Sequence, residues 1–183
     1  MALSKIDVAN MLTGATPVAN GGTALTSGFV NGITEADNFR LTTDFDGTAA
    51  PIASNLERAD DDNSTKIGTG VSESSGVFTF PSTGIYYIRF IATFLAANID
   101  GLLNATIEVT TNNSSFGTSA IGNSGVSRGS DQNQATCECI FDVTNTTTHK
   151  VRFDINGTSS DTTTMGNSDK NETSMMFIRL GDT

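Results

Sequence analysis

Residues 76–94 read GVFTFPSTGIYYIRFIATF, which is a short apolar run, a turn with a Pro and a Gly, and a long alternating run. In a β-strand, successive side chains point to opposite faces. Five residues of the long run share the face that we expect to be buried: Tyr86, Ile88, Phe90, Ala92 and Phe94. The opposite face carries Ile85, Tyr87, Arg89, Ile91 and Thr93. The stretch therefore predicts two strands joined by a Pro/Gly turn.

The same alternation closes the chain, where Met176, Ile178 and Leu180 interleave with Met175, Phe177 and Arg179. The motif F-x-F-P-x-x-G-x-Y at residues 78–86, with the closing F-I-R-L-G-D at residues 177–182, resembles the C1q/TNF-like jelly roll. The resemblance covers residues 37–183 and implies an all-β, two-sheet jelly-roll sandwich. With residues 54–61 and 141–146, this version is similar to domains encoded by marine bacteriophages.

Composition agrees with many short strands and limits the possible partners. Hydrophobic residues make up 37% of the 183 residues, charged residues 16%, and Trp is absent. A net charge of -10 opposes any binding mode that neutralises phosphates, so nucleic acid is not an expected partner. No run approaches the roughly 20 apolar residues that span a bilayer, and residues 1–7 lack the apolar core of a secretory signal. We expect no membrane partner and assembly in a cytoplasm.

The alternation predicts further strands at residues 105–111, 134–142, 149–155 and 173–180, and the first strand of the domain near residues 39–41. In residues 150–155, charged and apolar residues alternate, which predicts one face in solvent. Residues 112–131 and 157–172 are rich in Gly, Ser, Asn and Thr and are predicted to be long polar loops, where recognition of a ligand usually occurs.

Residues 1–36 differ from the domain that follows. The segment P-V-x-x-G-G-T at residues 17–23 is similar to segments of phage tail-fibre proteins, and a short helix is predicted up to about Leu12. One interpretation is an arm that anchors the protein to a larger particle; the other is a disordered leader. The apolar residues expected to make the anchor are Ile6, Val8, Met11, Leu12 and Val18.

Members of the family that the chain resembles assemble as trimers about a three-fold axis, which implies a homotrimer here. Apolar residues on both faces of the same strands also call for a second burial surface. We therefore predict Tyr87, Ile91 and Phe177 near the three-fold axis. The alternative is that the loops of the same subunit cover both faces.

Residue types that carry catalysis are scarce. His149 is the sole histidine and is predicted to be exposed, while Cys137 and Cys139 are interpreted as small buried hydrophobes. No Gly-rich phosphate loop occurs, and the acidic residues 60–63 do not have EF-hand spacing, so they are interpreted as a solvated loop. A pair of carboxylates for glycoside hydrolysis stays open as an alternative, because two acids suffice. The prediction is a protein that is not an enzyme, with no cofactor and no metal.

These observations predict a virion structural protein of a phage, built as a trimeric surface knob that its N-terminal arm anchors to other virion proteins. A capsid decoration or head-spike protein is favoured, because 183 residues leave no room for a shaft. The alternative is a tail-associated short fibre or tip that binds a host-surface receptor, such as a glycan. A free carbohydrate-binding or adhesion module also remains open.

Overall fold

The computed structural model describes residues 32–61 and 64–183. Within these ranges the chain contains twelve strands and no helix, so nothing there has the form of an apolar membrane-crossing helix. The strands are β1 (Ala36–Leu41), β2 (Phe45–Asp46), β3 (Leu56–Arg58), β4 (Ser72–Ser74), β5 (Val77–Thr79), β6 (Gly84–Ala96), β7 (Asp100–Thr110), β8 (Gly117–Val126), β9 (Gln132–Val143), β10 (Lys150–Asn156), β11 (Thr162–Thr164) and β12 (Ser174–Gly181).

The strands form two antiparallel sheets. In the seven-stranded sheet, β6 pairs with β9 along one edge and with β12 and then β11 along the other, while β1, β3 and β2 complete the sheet. The five-stranded sheet has the order β4, β5, β10, β7, β8. The apolar side chains of both sheets pack between them, which confirms the predicted two-sheet sandwich.

The core is rich in aromatic rings, and β6 supplies most of one side of it. Tyr86, Ile88, Phe90, Ala92 and Phe94 are at most 1% exposed, as their alternation predicted. Phe78 of the five-stranded sheet packs its ring 5.1 Å from Phe39, 5.3 Å from Phe153 and 5.2 Å from Phe177. Edge-on and tilted ring pairs of this kind contribute beyond the area that they bury.

The turn that opens β6 explains why the sequence motif contains a glycine. Gly84 has φ +148°, and a Cβ atom there would lie 2.6 Å from the carbonyl oxygen of Gly181. A larger residue would therefore push β6 and β12 apart. In the same turn the buried Tyr86 hydroxyl donates a hydrogen bond to the Ser82 carbonyl oxygen at 3.0 Å.

The last strand faces the opposite way from our prediction. Phe177 is 1% exposed and Met175 0%, and both point into the core between the sheets. Met176, Ile178 and Leu180 are the residues that point away from the five-stranded sheet. The interpretation of Phe177 as an axis residue is therefore corrected: its ring is already enclosed by Phe78, Phe80 and Phe153 of the same subunit.

Two further predictions are corrected. Lys150 and Asp154 do not face solvent but are 8% and 3% exposed, because β10 is the central strand of its sheet and neighbouring side chains cover them. The predicted loop at residues 112–131 contains the ten-residue strand β8, and the loop at residues 157–172 contains β11. As an edge strand, β8 exposes much of its length and so lacks the apolar alternation that marks a strand in the sequence.

The sandwich has two distinct ends. At the proximal pole, residues 33–35 lead into β1 beside the end of β12. The Arg179 amide donates a hydrogen bond to the Glu35 carbonyl oxygen at 2.9 Å, and the Arg179 guanidinium donates to Thr34 and to Asp182. At the distal pole, the loops at residues 97–99, 127–131 and 157–161 meet. The Ser130 amide donates to Ala96 at 2.7 Å and the Ala97 amide to Asp161 at 3.0 Å.

Candidate interaction surface

The outer face of the seven-stranded sheet, which points away from the five-stranded sheet, carries a continuous row of apolar side chains. Ile67 bridges to Ala36, which pairs with Ile178. Ile178 pairs with Tyr87, and Tyr87 pairs with Ile140. These five residues, the apolar row, cross the sheet from one edge to the other at the same height along the strands.

The apolar row and its neighbours are open to solvent in the single subunit. Ile140 is 67% exposed, Leu180 57%, Ile67 47% and Met176 36%. Soluble monomers rarely leave several large apolar side chains exposed side by side, and such patches usually mark an interaction surface. The outer face therefore has the composition of a surface that another molecule covers.

The next row along the strands carries charge. Asn38 pairs with Met176, Met176 with Arg89, and Arg89 with Glu138. Instead of pairing with Arg89, the Glu138 carboxylate accepts a hydrogen bond from the Tyr87 hydroxyl. This bond is the main cause that raises the pKa of Tyr87 above its ordinary value. We call Asn38, Met176, Arg89 and Glu138 the charged row.

A third row limits the apolar surface. It contains Glu57, Arg40, Ser174, Ile91 and Thr136. The Arg40 guanidinium is 4% exposed, and its Nε atom lies 2.8 Å from the Glu57 carboxylate. The other partner of Arg40 is Asp61, whose pKa this bond lowers. The apolar surface therefore ends at a fixed ion-pair network on the side of β3.

The ion-pair network includes one residue of the acidic loop predicted at residues 60–63. Asp60 and Asp61 belong to the described residues, whereas Asp62 and Asn63 do not. The Asp61 carboxylate is occupied by Arg40. Within the described ranges, the structure has no group of three or more His, Cys, Asp or Glu side chains that could hold a metal ion.

The structure separates the predicted site residues. Tyr87 and Ile91 lie half-buried on the outer face, whereas Phe177 does not. The predicted anchor residues Ile6, Val8, Met11, Leu12 and Val18 all lie outside the described residues. The sequence-based prediction missed Ile67, Ile140, Met176 and Ile178. Assigning Phe177 to the core face of the last strand would have identified Met176 and Ile178 as outer-face residues, because they alternate with Phe177.

Two adjacent concave surfaces lie on the outer face of the seven-stranded sheet, beyond the third row and near the distal pole. One has a volume of about 320 Å³ and is lined by Thr93, Gln132, Asn133 and Gln134. The other has a volume of about 270 Å³ and is lined by Leu95, Ala96, Ala97, Ser130, Asp161 and Thr163. They meet where Leu95 pairs with Gln132. The amides and hydroxyls of the first concavity, with the apolar side chains, hydroxyls and Asp161 carboxylate of the second, are suited to a ligand that carries several hydroxyl groups.

His149 is buried, which corrects the prediction that solvent surrounds it. It is 9% exposed, stacks on Phe141 with 5.7 Å between ring centroids, and lies 3.0 Å and 3.2 Å from the hydroxyls of Thr148 and Thr144. Its ring nitrogens are thus engaged in local hydrogen bonds that hold the loop before β10. Of the two cysteines, Cys137 is buried as predicted and Cys139 is half-buried.

Comparison with known proteins identifies the fold by its similarity to solved structures. No protein-family model matches the chain, and no curated protein matches it. Among solved structures, murine APRIL at pH 8.5 aligns with a TM-score of 0.58 at 11% identity, covering 80% of this chain and 98% of that one. Eiger TNF from S. frugiperda aligns with a TM-score of 0.60 at 13% identity, covering 81% and 93%. The predicted TNF-like jelly-roll fold is thereby confirmed.

Proposed function

We propose that this protein is a homotrimer whose subunits bury the outer faces of their seven-stranded sheets against one another. The observation that carries the proposal is the apolar row, which crosses the sheet from Ile67 to Ile140 and is exposed in one subunit. Each square ångström of apolar surface removed from water contributes about 25 cal/mol, so covering this face favours association. The number three is supported by the resemblance of the sequence to the trimeric C1q/TNF-like proteins.

We propose further that the trimer is a non-enzymatic structural knob of a phage virion, with residues 1–36 as its anchor. Support comes from the similarity of the chain to domains encoded by marine bacteriophages and of residues 17–23 to tail-fibre segments. The two poles fit this role, because the chain enters β1 at the proximal pole while the loops at residues 97–99, 127–131 and 157–161 gather at the distal pole. A knob held at one pole presents the other outward. Capsid decoration or a head spike is the favoured location.

Light scattering on the purified protein tests the trimer. We expect the mass of three chains for the wild type and dissociation for Ile178→Asp and Ile140→Asp, because each places a carboxylate in the apolar row. Ile99→Asp is the matched control, since Ile99 is 74% exposed but lies outside the outer face, between β6 and β7. A wild-type protein with the mass of one chain would refute the proposal.

The location on the particle is tested by counting copies in purified virions by mass spectrometry. Hundreds of copies indicate decoration, whereas a few or a few tens indicate a tail or vertex appendage. Removal of residues 1–25 should give trimers that no longer bind the particle. If the shortened protein still binds, the anchor lies in the knob. Absence of the protein from purified virions would refute the virion role itself.

A tail-tip protein that binds a host-surface glycan is the second candidate, and the concave surfaces at the distal pole favour it. Their polar lining and combined size suit a polyhydroxylated ligand. A glycan array probed with the trimer tests this function. Binding that is lost in Gln132→Ala but kept in the control Thr118→Ala, an exposed position of β8 in the other sheet, would place the ligand at the two concavities. An array without any bound glycan would reject this candidate.

A further inference from the structure

Arg89 is the one basic residue of the charged row, and it projects from the middle of β6 between the apolar row and Ile91. It forms no ion pair within residues 32–61 and 64–183, although Glu138 lies directly across from it on β9. Glu138 instead accepts the hydrogen bond of the Tyr87 hydroxyl. The row therefore holds one cation and one anion that do not satisfy each other within the subunit.

If another copy covers the outer face, the Arg89 guanidinium is removed from water. A guanidinium that loses its water without a partner destabilises the assembly, so a charge buried at an interface needs an opposite charge within reach. The Glu138 carboxylate has the capacity to accept further hydrogen bonds beyond that of Tyr87, because an ionised carboxylate has two acceptor oxygens. Glu138 is also exposed at the sheet edge, where a neighbouring copy would approach.

The apolar surface extends along the strands as well as across them. Its members extend along β12 and β6 from Leu180 and Ile85 through Ile178 and Tyr87 to Met176 and Ile91. An axis parallel to the strands lets the copies cover this whole length of the face together. Rotation about such an axis does not change the height of a residue along it, so each row meets the same row of the next copy.

We propose that Arg89 of one copy pairs with Glu138 of the next copy, and that this ion pair sets the register in which the subunits associate. The inference rests on the proposed homo-oligomer. The charged row is self-complementary, because it brings one positive and one negative side chain to the same height in every copy. Arg89 is thus a specificity-determining residue of the interface, while the apolar row supplies most of the buried area.

Charge reversal tests the pair. Arg89→Glu and Glu138→Arg should each raise the concentration at which the oligomer dissociates by about 30-fold or more, because each creates like charges at the contact. Arg89→Glu/Glu138→Arg in one chain should restore assembly. Arg128→Glu is the matched control, since Arg128 is 85% exposed and forms only a loose pair with Asp131 at 3.8 Å. We expect no change in dissociation for this variant.

A mixture of the two single variants separates pairing between copies from pairing within a chain. Pairing between copies predicts that mixing Arg89→Glu with Glu138→Arg gives oligomers that contain both chains in excess of a statistical mixture, as measured by native mass spectrometry. Pairing within a chain predicts no rescue on mixing, and that result overturns the inference. Unchanged assembly in both single variants overturns it as well. A monomeric wild type would instead refute the proposed homo-oligomer.

Discussion

The Tyr87 hydroxyl on β6 donates a hydrogen bond to the Glu138 carboxylate on the neighbouring edge strand β9, on the exposed face of the sheet. The polar end of Tyr87 is therefore satisfied within the subunit, so its ring can be covered by another molecule without leaving a buried donor unpaired. An unpaired buried donor would cost about 1 to 3 kcal/mol. The bond also fixes the orientation of the Tyr87 ring, so the ring need not be ordered when another molecule covers the outer face.

The pKa values of the two tyrosines of the chain should both be raised, for different reasons. Burial raises the pKa of Tyr86, whereas the hydrogen bond to Glu138 is the first cause that raises the pKa of Tyr87. We expect both phenols to ionise above about pH 10, their ordinary value. Glu138→Gln should lower the pKa of one phenol and leave the other in place. Ultraviolet absorbance of tyrosinate measures this, and an unchanged titration in Glu138→Gln would contradict the Tyr87 assignment.

Phe177 should act as a core residue and not as an interface residue. Phe177→Ala removes a ring that is 1% exposed and lies within 6.3 Å of three other rings, so we expect the free energy of unfolding to fall by about 3 to 5 kcal/mol. Met176→Ala, one position away on the outer face, should cost far less. Urea denaturation followed by circular dichroism, at one protein concentration, compares them. Equal losses would show that the facing of β12 is wrong.

Asp154 should make the folded state less stable as the pH rises. Burial raises its pKa to about 6, aided by the negative charge of Glu108, although Arg152 lies 3.9 Å away. Between the ordinary value near 4 and about 6, the folded state binds more protons than the unfolded state, so the contribution of Asp154 to stability falls across this window and stays low above it. Melting temperatures between about pH 4 and pH 7 measure the effect.

Asp154→Asn removes this titration. The variant should be more stable than the wild type near pH 7 by about 1 to 3 kcal/mol, and its stability should not show the decline of the wild type between about pH 4 and pH 6. Asp142→Asn, on an exposed position of β9, serves as the control that keeps the decline. A wild type and an Asp154→Asn variant with parallel pH profiles would contradict the prediction.

The two thiols should react at different rates. Burial raises the pKa of Cys137 to about 12, so almost none of it is thiolate near pH 8. Cys139 is half-buried and should react first with a disulfide reagent, while Cys137 should react only when the protein unfolds. Single variants Cys137→Ser and Cys139→Ser assign the rates by absorbance, and both thiols should react rapidly in denaturant. Equal rates in the folded state would be inconsistent with the burial of Cys137.

The sequence predicted those parts of the fold in which one face of a strand is fully buried. The alternation in β6 identified its five core residues, and the turn motif identified Gly84, because both are local consequences of strand geometry. Strand β8 was missed because its ten residues, GTSAIGNSGV, lie at a sheet edge and carry little apolar pattern. The burial of Asp154 and His149 was missed for another reason: it depends on neighbouring strands and loops that are distant in sequence.

The outer face was predicted in part for the same reasons. Tyr87 and Ile91 were identified because they share a strand with a clear core face. Ile67 joins the apolar row through a single bridge to Ala36 from a loop that has no strand pattern of its own. For β12, apolar residues occupy both faces, so alternation alone does not tell which face is inside. Contact with Phe78 and Phe153 decides it in favour of Phe177.

The gathering of residues 33–35 and 181–183 at the proximal pole makes the sandwich suited to engineering as a display scaffold. A reporter fused after Thr183 would sit beside the incoming segment, and foreign peptides inserted at residues 97–99 would point the opposite way. Cargo and displayed epitope would thus be separated by the full length of the strands.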